Sequence, residues 1–91
     1  MRVRWLRSGL RSLQKTAAFV AADNPLAARR VINTVKDRAD LLAANPQLGR
    51  AGRIPGTREL ILGDLPFIIV YRLMRDELQI LRLLHTSQEF P

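Results

Sequence analysis

One histidine and thirteen arginines are the residues of this chain best suited to chemistry, and no cysteine accompanies them. The imidazole of His85 titrates near neutrality when unperturbed, so it suits proton transfer as acid or base. Arg58, Arg72 and Arg82 stand in strand-like apolar stretches, where a guanidinium is costly unless a carboxylate or phosphate meets it. Glu59, Asp76 and Glu77 are the carboxylates placed to be such partners, and Glu59 and Glu89 are the ones placed to act as a base. Arg50 and Arg53 alternate with Gly49 and Gly52, a pattern that makes either a solvated loop or a flexible anion-binding segment. The missing cysteine removes disulfides, thiolate catalysis and cysteine-ligated zinc or iron–sulfur sites, and one histidine cannot build a histidine-rich centre. No metal and no other cofactor is therefore expected. Each singled-out residue also has a plainer reading: His85 as a hydrogen-bonded structural residue, and Tyr71 as core or strand surface.

The charge balance says what such arginines meet. Fifteen basic against eight acidic residues give +7. A small basic domain is expected to meet nucleic acid, a membrane surface or an acidic protein. Apolar residues at 47% exclude a disordered tail, and 91 residues make one domain, 1–91. A chain of this length buries only about 60–65% of its unfolded surface, so a partner matters to it. The basic start, Met1 to Arg7, is followed by no apolar stretch of signal-peptide length, and the longest apolar run, Phe67 to Tyr71, is too short to span a bilayer. A soluble cytoplasmic protein without a membrane partner is expected.

Periodicity shows which elements position these residues. Residues 2–6 alternate, with Arg2 and Arg4 on one face and Val3 and Trp5 on the other. Ser8 is placed to cap a helix whose inner stripe is Leu10, Leu13, Ala17 and Val20. Asn24-Pro25 ends it and opens a second, with Asn24 as N-cap and Ala28, Val31, Ile32, Val35, Ala39 and Leu42 turned inward. So short a connection demands an antiparallel helix hairpin. Residues 46–57, rich in Gly and Pro, read as a loop. Three strands follow, Thr57–Leu62, Phe67–Met74 and Glu77–Leu84, joined by short turns into an antiparallel meander. The last two are apolar on both faces, so both faces need covering: one by the helix hairpin, the other by something else, such as another chain. Alternation separates Arg58 from Glu59, and Arg82 from His85, onto opposite faces.

These blocks, in this order, resemble the RelE/ParE toxins of type II toxin–antitoxin modules. The resemblance rests on the segment from Gly49 to Leu62, on Pro66-Phe-Ile-Ile-Val-Tyr-Arg72, and on Ile80-Leu-Arg-Leu-Leu-His85 running to Gln88-Glu-Phe-Pro91. It covers nearly the whole chain and implies an α+β fold, β-α-α-β-β-β, with an antiparallel helix hairpin packed on an antiparallel sheet. The Pro-Gly-Thr-Arg-Glu block and the ending with Phe90 are most similar to the ParE branch, which implies inhibition of DNA gyrase by binding and neutralisation by a cognate acidic antitoxin. The RelE branch implies instead ribosome-dependent cleavage of messenger RNA, a metal-independent endoribonuclease reaction in which Arg58, Arg72, Arg82 and His85 would form the catalytic set. The lysine cluster and C-terminal tyrosine that ribosome-dependent enzymes of this kind call for are absent: only Lys15 and Lys36 occur, and Phe90 lacks a hydroxyl. For the binding reading, contact residues for target or antitoxin are Arg50, Arg53, Arg58, Tyr71, Arg72, Arg82, His85 and Phe90. A third reading is a basic nucleic-acid-binding domain acting through phosphates. It ranks last, because the cations are scattered and five aromatic residues offer no stacking platform.

Overall fold

The structure, a computed structural model, describes residues 1–87. In chain order the elements are β1 (Arg2–Trp5), α1 (Arg7–Asp23), α2 (Pro25–Ala44), β2 (Arg50–Ala51), β3 (Arg58–Ile61), β4 (Phe67–Met74) and β5 (Glu77–His85). They form a helix hairpin on one five-stranded sheet of order β1-β5-β4-β3-β2. The strands from β2 to β5 pair antiparallel, as the meander requires, but β1 joins the free edge of β5 in parallel, so the sheet is mixed. The reason is the long connection: a parallel neighbour needs a crossover, and the helix hairpin that follows β1 begins one. The segment 46–57, read as pure loop, contains β2, whose two residues extend the sheet beyond β3.

The helices form where the caps and stripes demand. The Asn24 side chain accepts a hydrogen bond from the Ala27 amide at 3.1 Å, with Pro25 at the first helical position. Ala28, Val31, Val35, Ala39 and Leu42 are buried on the inner face of α2. In α1 two expectations fail. Leu10 is 45% exposed, because the inner stripe is set by Gly9 and Leu13, a turn apart, and Leu10 lies a third of a turn away from Gly9. Ser8 does not cap the helix, which starts at Arg7 with Leu6 in the cap position and no side-chain bond there. The Ser8 hydroxyl donates instead to the Leu81 carbonyl of β5 at 2.7 Å.

That bond belongs to a device at the sheet edge. The pairing of β4 with β5 slips between Val70, opposite Arg82, and Tyr71, opposite Ile80, so Leu81 is an extra residue in β5. β1 covers β5 only as far as Ile80, whose carbonyl accepts from the Leu6 amide. Past that point α1 replaces it: Ser8 takes the Leu81 carbonyl, and the Ser12 hydroxyl accepts from the Leu83 amide at 2.8 Å. Two hydroxyls one turn apart therefore satisfy backbone groups that a sheet edge would leave orphaned.

The main core lies between helices and sheet, where Val35, Leu42, Ile69, Tyr71, Leu78 and Ile80 are fully enclosed. Burying each such aliphatic chain contributes about 1.5–3 kcal/mol. A second, smaller cluster of Ile68, Val70 and Leu84, with Leu81 against it, sits on the opposite face. Those three are at most 5% exposed, so this face does not await a partner over its whole extent, as two-sided apolarity had suggested. No described helix is long and apolar enough to cross a membrane.

Candidate functional site

The segment between α2 and β3 is held from both faces of the sheet. On the helix side, the hydroxyl of buried Tyr71 accepts from the Gly49 amide at 2.9 Å and donates to the Pro46 carbonyl at 2.8 Å. Arg58, next to it across the strands, donates from Nε to the Gly49 carbonyl and from Nη2 to the Gln47 carbonyl. Gly49 is required by this closeness, since a Cβ there would stand 2.6 Å from the Tyr71 oxygen. On the other side, the side chain of Glu59 is 1% exposed. Its Oε1 accepts from Arg50 Nη2 at 3.0 Å and its Oε2 from the Arg53 amide at 3.1 Å, with Arg53 Nε 3.8 Å away.

Burial opposes ionisation of Glu59, but the Arg53 amide and the two guanidinium groups outweigh it and hold the carboxyl below its usual range. The sign of the pH effect follows. A carboxyl depressed in the folded state contributes stability above the unfolded pKa, about 4.3, and loses it as pH falls through the lower folded value. Thermal unfolding of the parent chain should thus weaken more steeply below about pH 4 than that of Glu59→Gln, and the two midpoints should converge there. Parallel curves from pH 7 to 3 would show that Glu59 does not carry this charge-dependent stability.

The face opposite the helices collects the strand arginines other than Arg58. Pairing sets Arg50, Glu59, Val70 and Arg82 in one row across four strands, and Arg72, Gln79 and Arg4 in the next, with Arg2 beside Glu77 beyond them. Arg72 Nε donates to Gln79 Oε1 at 2.7 Å, Gln79 Nε2 donates to Glu77 at 3.2 Å, and Arg4 lies 3.7 Å from the same Glu77. Among the described residues, six guanidinium groups thus border this face against two carboxylates, each already engaged. The bulge at Leu81 decides the grouping: strict alternation from Ile80 would turn Arg82 towards the helices, and the extra residue sends it to the face of Arg72.

The expected site residues therefore divide. Arg50, Arg53, Arg72 and Arg82 share the open face. Arg58 and Tyr71 lie on the other side, fastening the 46–57 segment. Neither Arg58 nor Arg72 ion-pairs with Glu59, Glu77 or Asp76; carbonyls and Gln79 take their place. His85 also lies on the helix side, opposite Phe67, whose ring meets its own edge-on at 5.4 Å. The Ser87 amide donates to His85 Nδ1 at 3.1 Å, and Ser87 Oγ is 2.6 Å from the same nitrogen. Phe90 and Glu89 lie outside the described residues. Sequence reasoning missed Arg2, Arg4 and Gln79 as members of the open face, and it missed Glu59 as partner of Arg50 and Arg53. Their alternation was visible, but not the strand that would stand beside them.

Near His85, α1 and the ends of β4 and β5 enclose a groove of about 680 Å³ whose apolar lining includes Phe19, Val20, Leu65 and Phe67. Ser12, Lys15, Arg82 and His85 supply polar groups along it, so Arg82, at the edge of the open face, also reaches this groove.

Against this geometry the comparisons with known proteins are specific. Residues 3–90 match the family model of the ParE toxin of the type II toxin–antitoxin system parDE. The chain belongs to the ParE toxin family. Y4kP of Sinorhizobium fredii (strain NBRC 101917 / NGR234), a provisionally named toxin, is 44% identical to this ParE-family chain over 90 residues, 99% of this chain and 93% of that one. Among solved structures, a chain of the chromosomal ParDE toxin–antitoxin system from P. aeruginosa superposes with a TM-score of 0.81 at 28% identity, covering 93% of this chain and 95% of its own. The α+β fold and the ParE side of the resemblance stand on these matches, and the open arginine face and the groove belong to a ParE-family toxin.

Proposed function

We propose that this ParE-family toxin arrests growth by binding DNA gyrase through its open arginine face, without bond-breaking chemistry, and that a cognate acidic antitoxin neutralises it. The observation that carries this reading is that the groups able to move a proton are already engaged. Arg50, Arg53 and Arg72 lie on one face, and His85, which lines the groove with Lys15 and Arg82, has Nδ1 engaged by the Ser87 amide. The carboxylates on the arginine face, Glu59 and Glu77, are committed to hydrogen bonds and ion pairs. Phosphodiester cleavage needs a proton acceptor and donor at the reacting atoms, and this face presents neither among the described residues. An acidic protein surface needs only cations in fixed places.

The antitoxin reading draws on the groove. Its apolar lining, with Lys15 on its rim and +7 over the chain, suits an amphipathic segment bearing carboxylates. Steering of that kind makes association faster at low salt.

The deciding experiment runs gyrase supercoiling beside messenger cleavage on programmed ribosomes, with purified toxin. Supercoiling should be inhibited and messenger should stay intact. His85→Ala should leave inhibition unchanged, whereas Arg82→Glu should weaken it about 10- to 100-fold, because charge reversal sets like charges across the interface. Antitoxin added first should restore supercoiling. Site-specific messenger cleavage that disappears in folded His85→Ala would establish the ribosome-dependent ribonuclease instead.

A further inference from the structure

Gln79 is a buried polar residue on a cationic face. It is 5% exposed and stands between Arg72 of β4 and Arg4 of β1 in the sheet register. Its amide is used at both ends. Oε1 accepts from Arg72 Nε at 2.7 Å, and Nε2 donates to Glu77 Oε1 at 3.2 Å, with Arg4 Nη1 3.7 Å from the same oxygen. An amide can accept from a guanidinium and donate to a carboxylate at once, whereas a second carboxylate would repel Glu77 and an ammonium would repel Arg72. The order Arg72–Gln79–Glu77–Arg4 sets where charge is cancelled. The Glu77 carboxylate stands with Arg4, and what Arg72 meets is neutral. Arg72 is therefore held through Nε, and its terminal nitrogens donate to no described residue.

We propose that Gln79 is a positioning residue, which fixes the direction of the Arg72 guanidinium without cancelling its charge, so that Arg72 receives a carboxylate side chain of the protein target. The proposal rests on the reading of the open arginine face as a target-binding surface. With Nε taken, the edge carrying Nη1 and Nη2 remains, and that edge matches the two oxygens of one carboxylate. Holding the planar fork in advance lowers the ordering entropy that a free arginine would lose on binding. The flank favours a protein: Met74, two residues along β4 on the same face, is 42% exposed. An acidic side chain bordered by apolar ones suits such a neighbour, whereas a nucleic-acid backbone calls for cations at regular intervals.

Two substitutions separate positioning from the filling of space. Gln79→Met keeps the volume but loses the acceptor, and Gln79→Glu keeps the acceptor but cancels the charge of Arg72. A residue that only filled space would tolerate Gln79→Met without loss of binding. A positioning residue requires both variants, and Arg72→Gln, to bind purified DNA-free gyrase about tenfold or more weakly. In the Arg72→Gln background Gln79→Met should cause no further loss, because Gln79 acts only through Arg72. On the toxin alone, nuclear magnetic resonance should show a resolved, slowly exchanging Nε–H signal for Arg72. That signal should collapse to the solvent-averaged position in Gln79→Met and persist in Gln79→Glu. Unchanged binding by folded Gln79→Met, additive losses in the cycle, or an averaged Arg72 signal in the parent chain would each overturn the proposal. Should neither Gln79 variant fold, Arg72→Lys keeps the charge without the fork and should lose a similar factor, with undiminished binding overturning the proposal. A DNA duplex of random sequence is the second probe: Gln79-dependent binding to it, with DNA-free gyrase unbound, overturns the carboxylate assignment. If the parent chain binds neither, the gyrase reading fails, and the same cycle is read on growth inhibition in cells. Losses that do not add support the positioning role there, and additive ones overturn it.

Discussion

Replacing Gly9 with alanine should lower the thermal midpoint of this ParE-family toxin by about 8–16 °C, although alanine is the better helix former. In an exposed helix the exchange would stabilise by about 1 kcal/mol. Here a Cβ would stand 2.5 Å from the Ile80 carbonyl oxygen and 3.4 Å from the Trp5 ring. The nearest atom is sheet backbone, which cannot rotate away as a side-chain tip does, so α1 itself must move. Overpacking of this kind costs roughly 3 kcal/mol, leaving a net loss of about 2 kcal/mol, and each kcal/mol is worth about 4–8 °C in a domain this small. Lifting α1 also stretches the Ser8 and Ser12 bonds to β5, the contacts that satisfy the strand around the bulge. The gyrase inhibition proposed above should therefore fall with stability, because the bulge directs Arg82 to the open face. Calorimetry of Gly9→Ala beside the parent chain checks this. An equal or higher midpoint would mean that α1 does not press on β5 at Gly9.

Tyr71→Phe is the second large effect, and it reaches the site from the opposite side of the sheet. The ring is fully buried and phenylalanine fills nearly the same space, so packing is retained. What disappears is one hydroxyl serving two main-chain groups, the Gly49 amide and the Pro46 carbonyl. Leaving a buried polar group without a partner costs about 1–3 kcal/mol, and two are orphaned here, so a loss of about 2–3 kcal/mol is expected. The damage should be local as well as global. Hydrogen exchange at the Gly49 amide should quicken by about tenfold or more beyond what the global destabilisation accounts for, and target binding should weaken as Arg50 loses its anchorage. Unchanged Gly49 exchange in the variant would show that Arg58 alone holds the segment.

Much of this was legible in the chain. The Asn24-Pro25 punctuation, the α2 stripe and the limits of β4 follow from local rules that the tertiary structure does not override. The two-residue Arg75-Asp76 turn likewise takes the left-handed backbone that joins tightly twisted strands, at φ 54° and 61°. The failures share one cause. Ser8 has the chemistry of a cap, but a hydroxyl bonds to whichever backbone group lies nearest, and tertiary packing brings the Leu81 carbonyl to it. Arg58 has the chemistry of a phosphate ligand, yet the carbonyls of Gln47 and Gly49 reach it first.

By itself the sequence determined both helices, four of the five strands, their order along the chain and the character of the surface: basic, arginine-rich and without cysteine. Composition and short-range periodicity suffice for these, because helix stripes, strand alternation and turn residues act within a few positions. Which arginines act together was decided only by the tertiary structure. Arg82 joins Arg72 because one residue is inserted into β5, and that insertion is satisfied by hydroxyls about seventy positions away in α1. Arg50 and Arg53 become a pair because β2 forms beside β3 and brings Glu59 beneath them. Strand period reports faces only while pairing stays regular, and a bulge or an added edge strand reverses or extends that pattern through contacts that no local stretch contains.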